Sequence, residues 1–122
     1  MKLFISPISA SEWKINVADF KVQLEKYVLG SRVWEVNDLN RKYILEWELF
    51  ISNVLKLEGR LSRDLISIVI ECRDAVFAFD FIKWYASWLP AQEEIWIYDE
   101  PFEFNCALNE LSKDLLISLM GS

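Results

Sequence analysis

At 122 residues the chain fits one domain, residues 1–122, and is too short for two complete ones. A hydrophobic share of 53% beside 26% charged residues excludes intrinsic disorder, and three Gly with three Pro exclude collagen-like and low-complexity classes. The absence of histidine removes Ser-His-Asp and Cys-His chemistry together with every His-containing zinc site.

Two cysteines are too few for an all-thiolate metal centre. Cys72 and Cys106 each sit within an apolar alternation, which reads as two reduced core thiols. The opening Met-Lys-Leu-Phe-Ile-Ser-Pro is too short in apolar residues for a signal peptide, and no uncharged apolar run reaches the length of a membrane span. A cytoplasmic chain is the expectation, with no cofactor and no metal. The net charge of -6 is unevenly spread. Residues 1–63 carry ten Lys and Arg against eight Asp and Glu, and residues 64–122 carry three against eleven. That imbalance argues against a nucleic-acid surface on the C-terminal half and suits a basic protein partner or self-association.

Taken in chain order, Lys2 to Ser6 reads as a strand ended by Pro7. Val17, Phe20, Leu24, Tyr27 and Val28 recur at helical spacing, with Gly30 as the stop. Arg32 to Val36 is a further strand. Tyr43, Leu45, Trp47, Leu49 and Ile51 then alternate, followed by Leu55, Leu57 and Leu61, and by Ile66, Ile68, Ile70 and Cys72. Parity asks for an odd loop around Ser52-Asn53 and allows a two-residue turn at Ser62-Arg63, which sets Leu57 near Ile68. In one allowed register Gly59 makes room for an opposed Trp47. The polar face of these strands carries Glu46, Glu48, Lys56, Glu58, Arg60 and Glu71, interrupted by Phe50, and reads as a solvated surface.

Residues 75–89 fit a helix ending before Pro90. Its apolar arc covers about 220°, more than a single sheet can bury. The stripe Phe77, Phe81, Trp84 and Trp88 is the part least explained by packing on a sheet, so an outward-facing homodimer seam is expected there unless the first and last helices cover it. Glu94 to Tyr98 is a strand, Asp99-Glu100-Pro101 a turn, and Phe102, Phe104, Cys106 and Leu108 alternate beyond it. A three-residue loop sets Tyr98 opposite Phe102 and Trp96 opposite Phe104, which makes one face of the hairpin aromatic. Ser112 caps a short last helix containing Leu115, Leu116 and Leu119. The order β-α-β-β-β-β-α-β-β-α predicts an α+β domain, a mainly antiparallel sheet with helices packed on one face.

The run Ile82-Lys83-Trp84-Tyr85-Ala86-Ser87-Trp88-Leu89-Pro90, followed by Ile95-Trp96-Ile97-Tyr98-Asp99-Glu100 and an alternating strand, resembles the C-terminal part of small bacterial proteins of unassigned function. The resemblance covers the C-terminal third and implies a helix followed by a hairpin.

Among chemistry-bearing groups the acidic set Glu93, Glu94, Asp99, Glu100 and Glu103 stands out. Its spacing matches no calcium loop, and Asp and Pro are also plain turn formers. The sequence thus points to a non-enzymatic interaction domain that is homodimeric through the second helix and offers an acidic hairpin to a basic partner, as toxin-neutralising or adaptor proteins do. The alternative is a small-ligand-binding protein or carboxylate-dependent enzyme in which Glu71, Asp99, Glu100 or Glu103 works beside an aromatic pocket. Nucleic-acid binding is left only the cluster Lys56, Arg60 and Arg63, whose field the interleaved acids reduce.

Overall fold

A computed structural model describes residues 1–8, 12–27, 30–90, 93–101 and 103–119. Val28 and Phe102, placed by sequence in the first helix and the last strand, lie outside the described residues.

The chain forms strand β1 (Lys2–Pro7), helix α1 (Val17–Tyr27), strands β2 (Arg32–Glu35), β3 (Tyr43–Ile51), β4 (Val54–Ser62) and β5 (Ile68–Cys72), helix α2 (Ala75–Ala86), strands β6 (Ile95–Asp99) and β7 (Asn105–Ala107), a 3-10 turn (Leu108–Glu110) and helix α3 (Lys113–Leu119). All pairings are antiparallel, in the spatial order β2-β3-β4-β5-β1-β6-β7. The chain therefore starts in the middle of the sheet, crosses through α1 to one edge, meanders back to β1, and crosses through α2 to build the other edge. The expected α+β architecture and element order hold.

Helix ends follow local chemistry. The Asp74 carboxylate accepts the Phe77 N–H at 3.0 Å to start α2, and Ser112 Oγ accepts the Leu115 N–H at 3.1 Å to start α3. Gly30 follows α1 with φ +90, a left-handed conformation that glycine adopts without a Cβ penalty. α2 stops three residues short of the sequence expectation, and residues 87–89 close it with turn bonds from the Trp88 and Leu89 N–H groups to the Tyr85 and Ala86 carbonyls.

One row of the inner face crosses the whole sheet: Glu35, Leu45, Leu61, Ile68, Ile5, Ile97 and Cys106 stand opposite one another from β2 to β7. All but Glu35 are buried, and the row meets buried Phe20 and Leu24 of α1, Phe81 and Ile82 of α2, and Leu116 of α3 in one core. Burying a Leu, Ile or Phe side chain contributes about 1.5–3 kcal/mol, so this row is a main source of stability.

Three turns depart from the sequence reading. Ser52 and Asn53 form a two-residue turn with φ of 51 and 66, as a twisted hairpin requires. The parity expected of an odd loop is restored by an irregularity beyond Leu49, where Leu49 pairs with Leu57 but Phe50 pairs with Leu55. The extra residue bends the hairpin end and leaves Ile51, Val54 and Leu55 exposed there.

The β4–β5 connection is longer than two residues. The Asp64 carboxylate accepts the Ile66 N–H at 3.0 Å, the Ser67 N–H at 2.8 Å and the Ser67 hydroxyl at 2.5 Å, and Leu65 takes φ 63. Leu57 therefore stands opposite Cys72 rather than Ile68, a slide of four residues that keeps every side chain on its expected face.

In the last hairpin Asp99 accepts the Phe104 N–H at 3.0 Å, and the ladder pairs Tyr98 with Asn105, Ile97 with Cys106 and Trp96 with Ala107. The register differs by three from the expected one, an odd shift, so the faces exchange. Cys106 points inward beside Ile97, while Trp96 and Tyr98 share the outer face with Asn105 and Ala107. The expected all-aromatic face of this hairpin is not formed.

Candidate functional site

The α2 stripe Phe77, Phe81, Trp84 and Trp88 lies against the first helix. Phe81 is 0% exposed, and Phe77, Trp84 and Trp88 are half-buried. The first helix covers them: Tyr27 meets Phe77, Phe81 and Trp84 at ring distances of 6.4, 5.7 and 5.1 Å, and Phe20 meets Trp84 and Trp88 at 5.5 and 5.4 Å. Three of these pairs are edge-to-face and two are tilted, and an aromatic pair stabilises by about 0.5–1.5 kcal/mol beyond area burial. Within one chain the stripe packs against α1, and Phe77, Trp84 and Trp88 keep part of their surface exposed.

The acidic set is also redistributed. Glu93 and Glu94 precede β6, while Asp99, Glu100 and Glu103 lie at and beyond its other end, separated by four strand rises or about 13 Å. Asp99 is engaged in closing the hairpin, and Glu100 reaches Lys2 at 4.0 Å. These five carboxylates form two groups at opposite ends of a strand.

Helices occupy one face of the sheet, and the other is bare. Two neighbouring rows run across it. The first runs Trp34, Glu46, Arg60, Val69, Phe4, Tyr98 and Asn105. Within it Phe4 and Tyr98 stack at 5.3 Å with planes 9° apart, Arg60 pairs with Glu46 at 3.4 Å, and the Trp34 indole N–H donates to Glu46 at 3.1 Å. The second row runs Arg32, Glu48, Glu58, Glu71 and Lys2. Three carboxylates thus stand directly opposite one another on three adjacent strands. Arg32 reaches Glu48 at 3.9 Å, and among the described residues Glu58 and Glu71 have no ion-pair partner.

Like charges directly opposed across strands destabilise a sheet by a few tenths of a kcal/mol to about 1 kcal/mol per pair. This row carries two such pairs at its centre. Alternation puts all three glutamates on this face but does not align them, because a two-residue turn at Ser62-Arg63 would set Glu58 opposite Ser67. The signal that finds the row is Asp64, whose side chain lengthens the turn.

Two open clefts border this face. One, of about 520 Å³, is lined by Phe4, Tyr98, Tyr43, Ser62, Asp64 and Ser67 among others. Burial alone would raise the Asp64 pKa, but its hydrogen bonds from Ser67 and Ile66, with Lys14 nearby, outweigh it and hold the carboxyl below its ordinary value. The other cleft, of about 640 Å³, brings Glu58, Glu71 and Glu100 together with Lys2, Lys56 and Arg73. Glu71 is half-buried and Glu100 is exposed, and no polar or charged residue among the described ones is buried. The desolvated carboxylate that acid–base chemistry would need is not found among them.

Among the described residues no group of three or more Cys, Asp or Glu is placed to hold a metal ion. The basic trio is dispersed into local contacts: Lys56 reaches Asp74 at 3.7 Å, Arg60 reaches Glu46, and Arg63 donates to the Arg41 and Asp38 carbonyls, each at 2.6 Å. Among the described residues no helix is long and apolar enough to cross a membrane. Cys72 and Cys106 are both free and buried, and burial pushes both thiols up. They sit on β5 and β7 with β1 and β6 between them, three spacings or about 14 Å apart, beyond the reach of a disulfide.

No protein-family model matches the chain, and comparisons with curated proteins and with solved structures likewise return no match.

Proposed function

We propose that this protein is a non-enzymatic interaction domain whose helix-free sheet face receives a basic partner protein in the cytoplasm. The observation that carries the reading is the row Glu48, Glu58 and Glu71, with the Phe4–Tyr98 pair in the neighbouring row. A local arrangement that costs stability is where function is sought first, because the isolated fold gains nothing from it. Lys or Arg side chains of a partner would neutralise Glu58 and Glu71, and an apolar side chain would rest against Phe4 and Tyr98. The acidic group of the last hairpin supplies long-range attraction at the border of this surface rather than its centre. Free, buried thiols support residence in a reducing compartment.

The second reading, a small-ligand site, has the cleft beside Phe4, Tyr98 and Tyr43 in its favour. Its one carboxylate, Asp64, is occupied by the turn it closes.

The test uses Lys-rich peptides with an interspersed Trp as the probe and calorimetry at low and high salt. Binding is expected to weaken steeply with salt and to be lost in the double variant Glu58→Lys/Glu71→Lys. The variant Glu93→Lys/Glu103→Lys carries the same change in net charge and is expected to keep most of the affinity. Equal loss in the two variants, or no binding at low salt, overturns the reading.

A further inference from the structure

We infer that a second copy of this chain docks on the free edge of β2, joining two seven-stranded sheets into one. Among the described residues nothing pairs with β2 on the side away from β3. The phase of the ladder defines what that edge offers. The Val36 N–H donates to the Ile44 carbonyl at 2.9 Å, and antiparallel pairs alternate between bonded and non-bonded. Arg32 and Trp34 therefore direct their amide groups toward β3, and Val33 and Glu35 present theirs to the outside. An unblocked row of this kind is a template for another strand.

The chemistry of β2 selects a copy of itself. Opposed residues in an antiparallel pair share a face, so two copies related by a two-fold axis normal to the sheet pair residues whose numbers add to an even value. Arg32 opposite the partner's Arg32, or Glu35 opposite the partner's Glu35, sets like charges together. Trp34 opposite the partner's Trp34 forces Glu35 against the partner's Val33. The register that centres Val33 on the partner's Val33 has none of these conflicts. It sets valine against valine on the helix side with outward backbone groups in phase, and places each Arg32 against the partner's Trp34 on the bare side. Trp34 is 40% exposed and held to that side by its bond to Glu46, and Arg32 is a cation suited to its ring.

The same axis keeps the helices of both copies on one side, so the two bare faces join into a single surface. This dimer goes beyond the proposed partner binding and does not require it.

Sedimentation of the full chain is expected to show a concentration-dependent dimer. Val33→Pro removes an outward N–H that no bond among the described residues uses, so dimerisation should weaken at least ~10-fold, a loss of about 1.4 kcal/mol, with the far-ultraviolet spectrum retained. Should that variant fail to fold, oxidised Val33→Cys provides an independent readout. Opposed Cα atoms in a bonded antiparallel pair lie about 5.5 Å apart, within disulfide reach. A covalent dimer through position 33, and not through Trp34→Cys, supports the register. A chain that stays monomeric up to about 1 mM, a Val33→Pro dimer of undiminished affinity, or cross-linking at 34 in place of 33 overturns the inference. None of these measurements involves the basic peptide, so each proposal fails separately.

Discussion

The indole of Trp47 occupies the space that a side chain at Gly59 would need. The two residues are Cα partners across β3 and β4, and a Cβ at position 59 would overlap Trp47 Cε2, Nε1 and Cζ2. Trp47 is buried against Phe20 of α1 and Phe81 of α2, so this one glycine lets both helices close on the sheet. The burial has a cost, because the Trp47 Nε1 proton has no acceptor among the described residues.

Gly59→Ala is accordingly expected to destabilise the fold by about 1–3 kcal/mol, the range of overpacked cores. Phenylalanine carries a smaller ring than the indole that fills this space. The penalty should therefore shrink when Gly59→Ala is made in a Trp47→Phe background, and urea denaturation of the four proteins measures the coupling. Strict additivity would show that the two positions do not compete for space.

Glu58 stands between Glu48 and Glu71, and replacing it relieves two opposed pairs at once. Glu58→Gln is expected to raise the melting temperature through a gain of about 0.2–1 kcal/mol per pair, an advantage that fades as salt screens the charges. A lower melting temperature at every ionic strength would contradict the repulsion on which the proposed binding surface rests.

Asp64 gives the fold a defined acid sensitivity. Its folded pKa lies below the unfolded value of 3.8, because the turn bonds from Ser67 and Ile66 outweigh the opposing effect of burial. The sign follows: the native state holds the carboxylate ionised, so its contribution is present above that unfolded value and is lost as pH falls through the lower folded one. Asp64→Asn should be less stable than the parent at neutral pH, by about 1 kcal/mol, and the gap should narrow in denaturation curves taken below about pH 3. A gap that stays constant down to pH 2 would assign the loss to shape rather than charge.

The lengthened β4–β5 turn also marks where sequence reading reaches its limit. Alternation in Ile68, Ile70 and Cys72 identified the strand and its inner face, because side-chain direction repeats every two residues whatever the partner. Register is a different quantity. It depended on three bonds to Asp64, and the slide of four preserved every face while bringing Glu58 opposite Glu71. In the last hairpin Asp99 changed the register by an odd number, and the faces of Phe104 and Cys106 were exchanged.

Local order is what the residues of this chain determined on their own: the helices and strands of the described residues, two free and buried cysteines and a glycine facing Trp47 all follow from periodicity, capping groups and residue size. Distance in space was decided only by the tertiary structure. The stripe Phe77, Phe81, Trp84 and Trp88 has the same spacing whether Phe20 and Tyr27 cover it or a second molecule does, and the carboxylates of Glu48, Glu58 and Glu71 become neighbours only through two separate turns. Burial and charge alignment are sums over elements remote in the chain, and no window of sequence contains them.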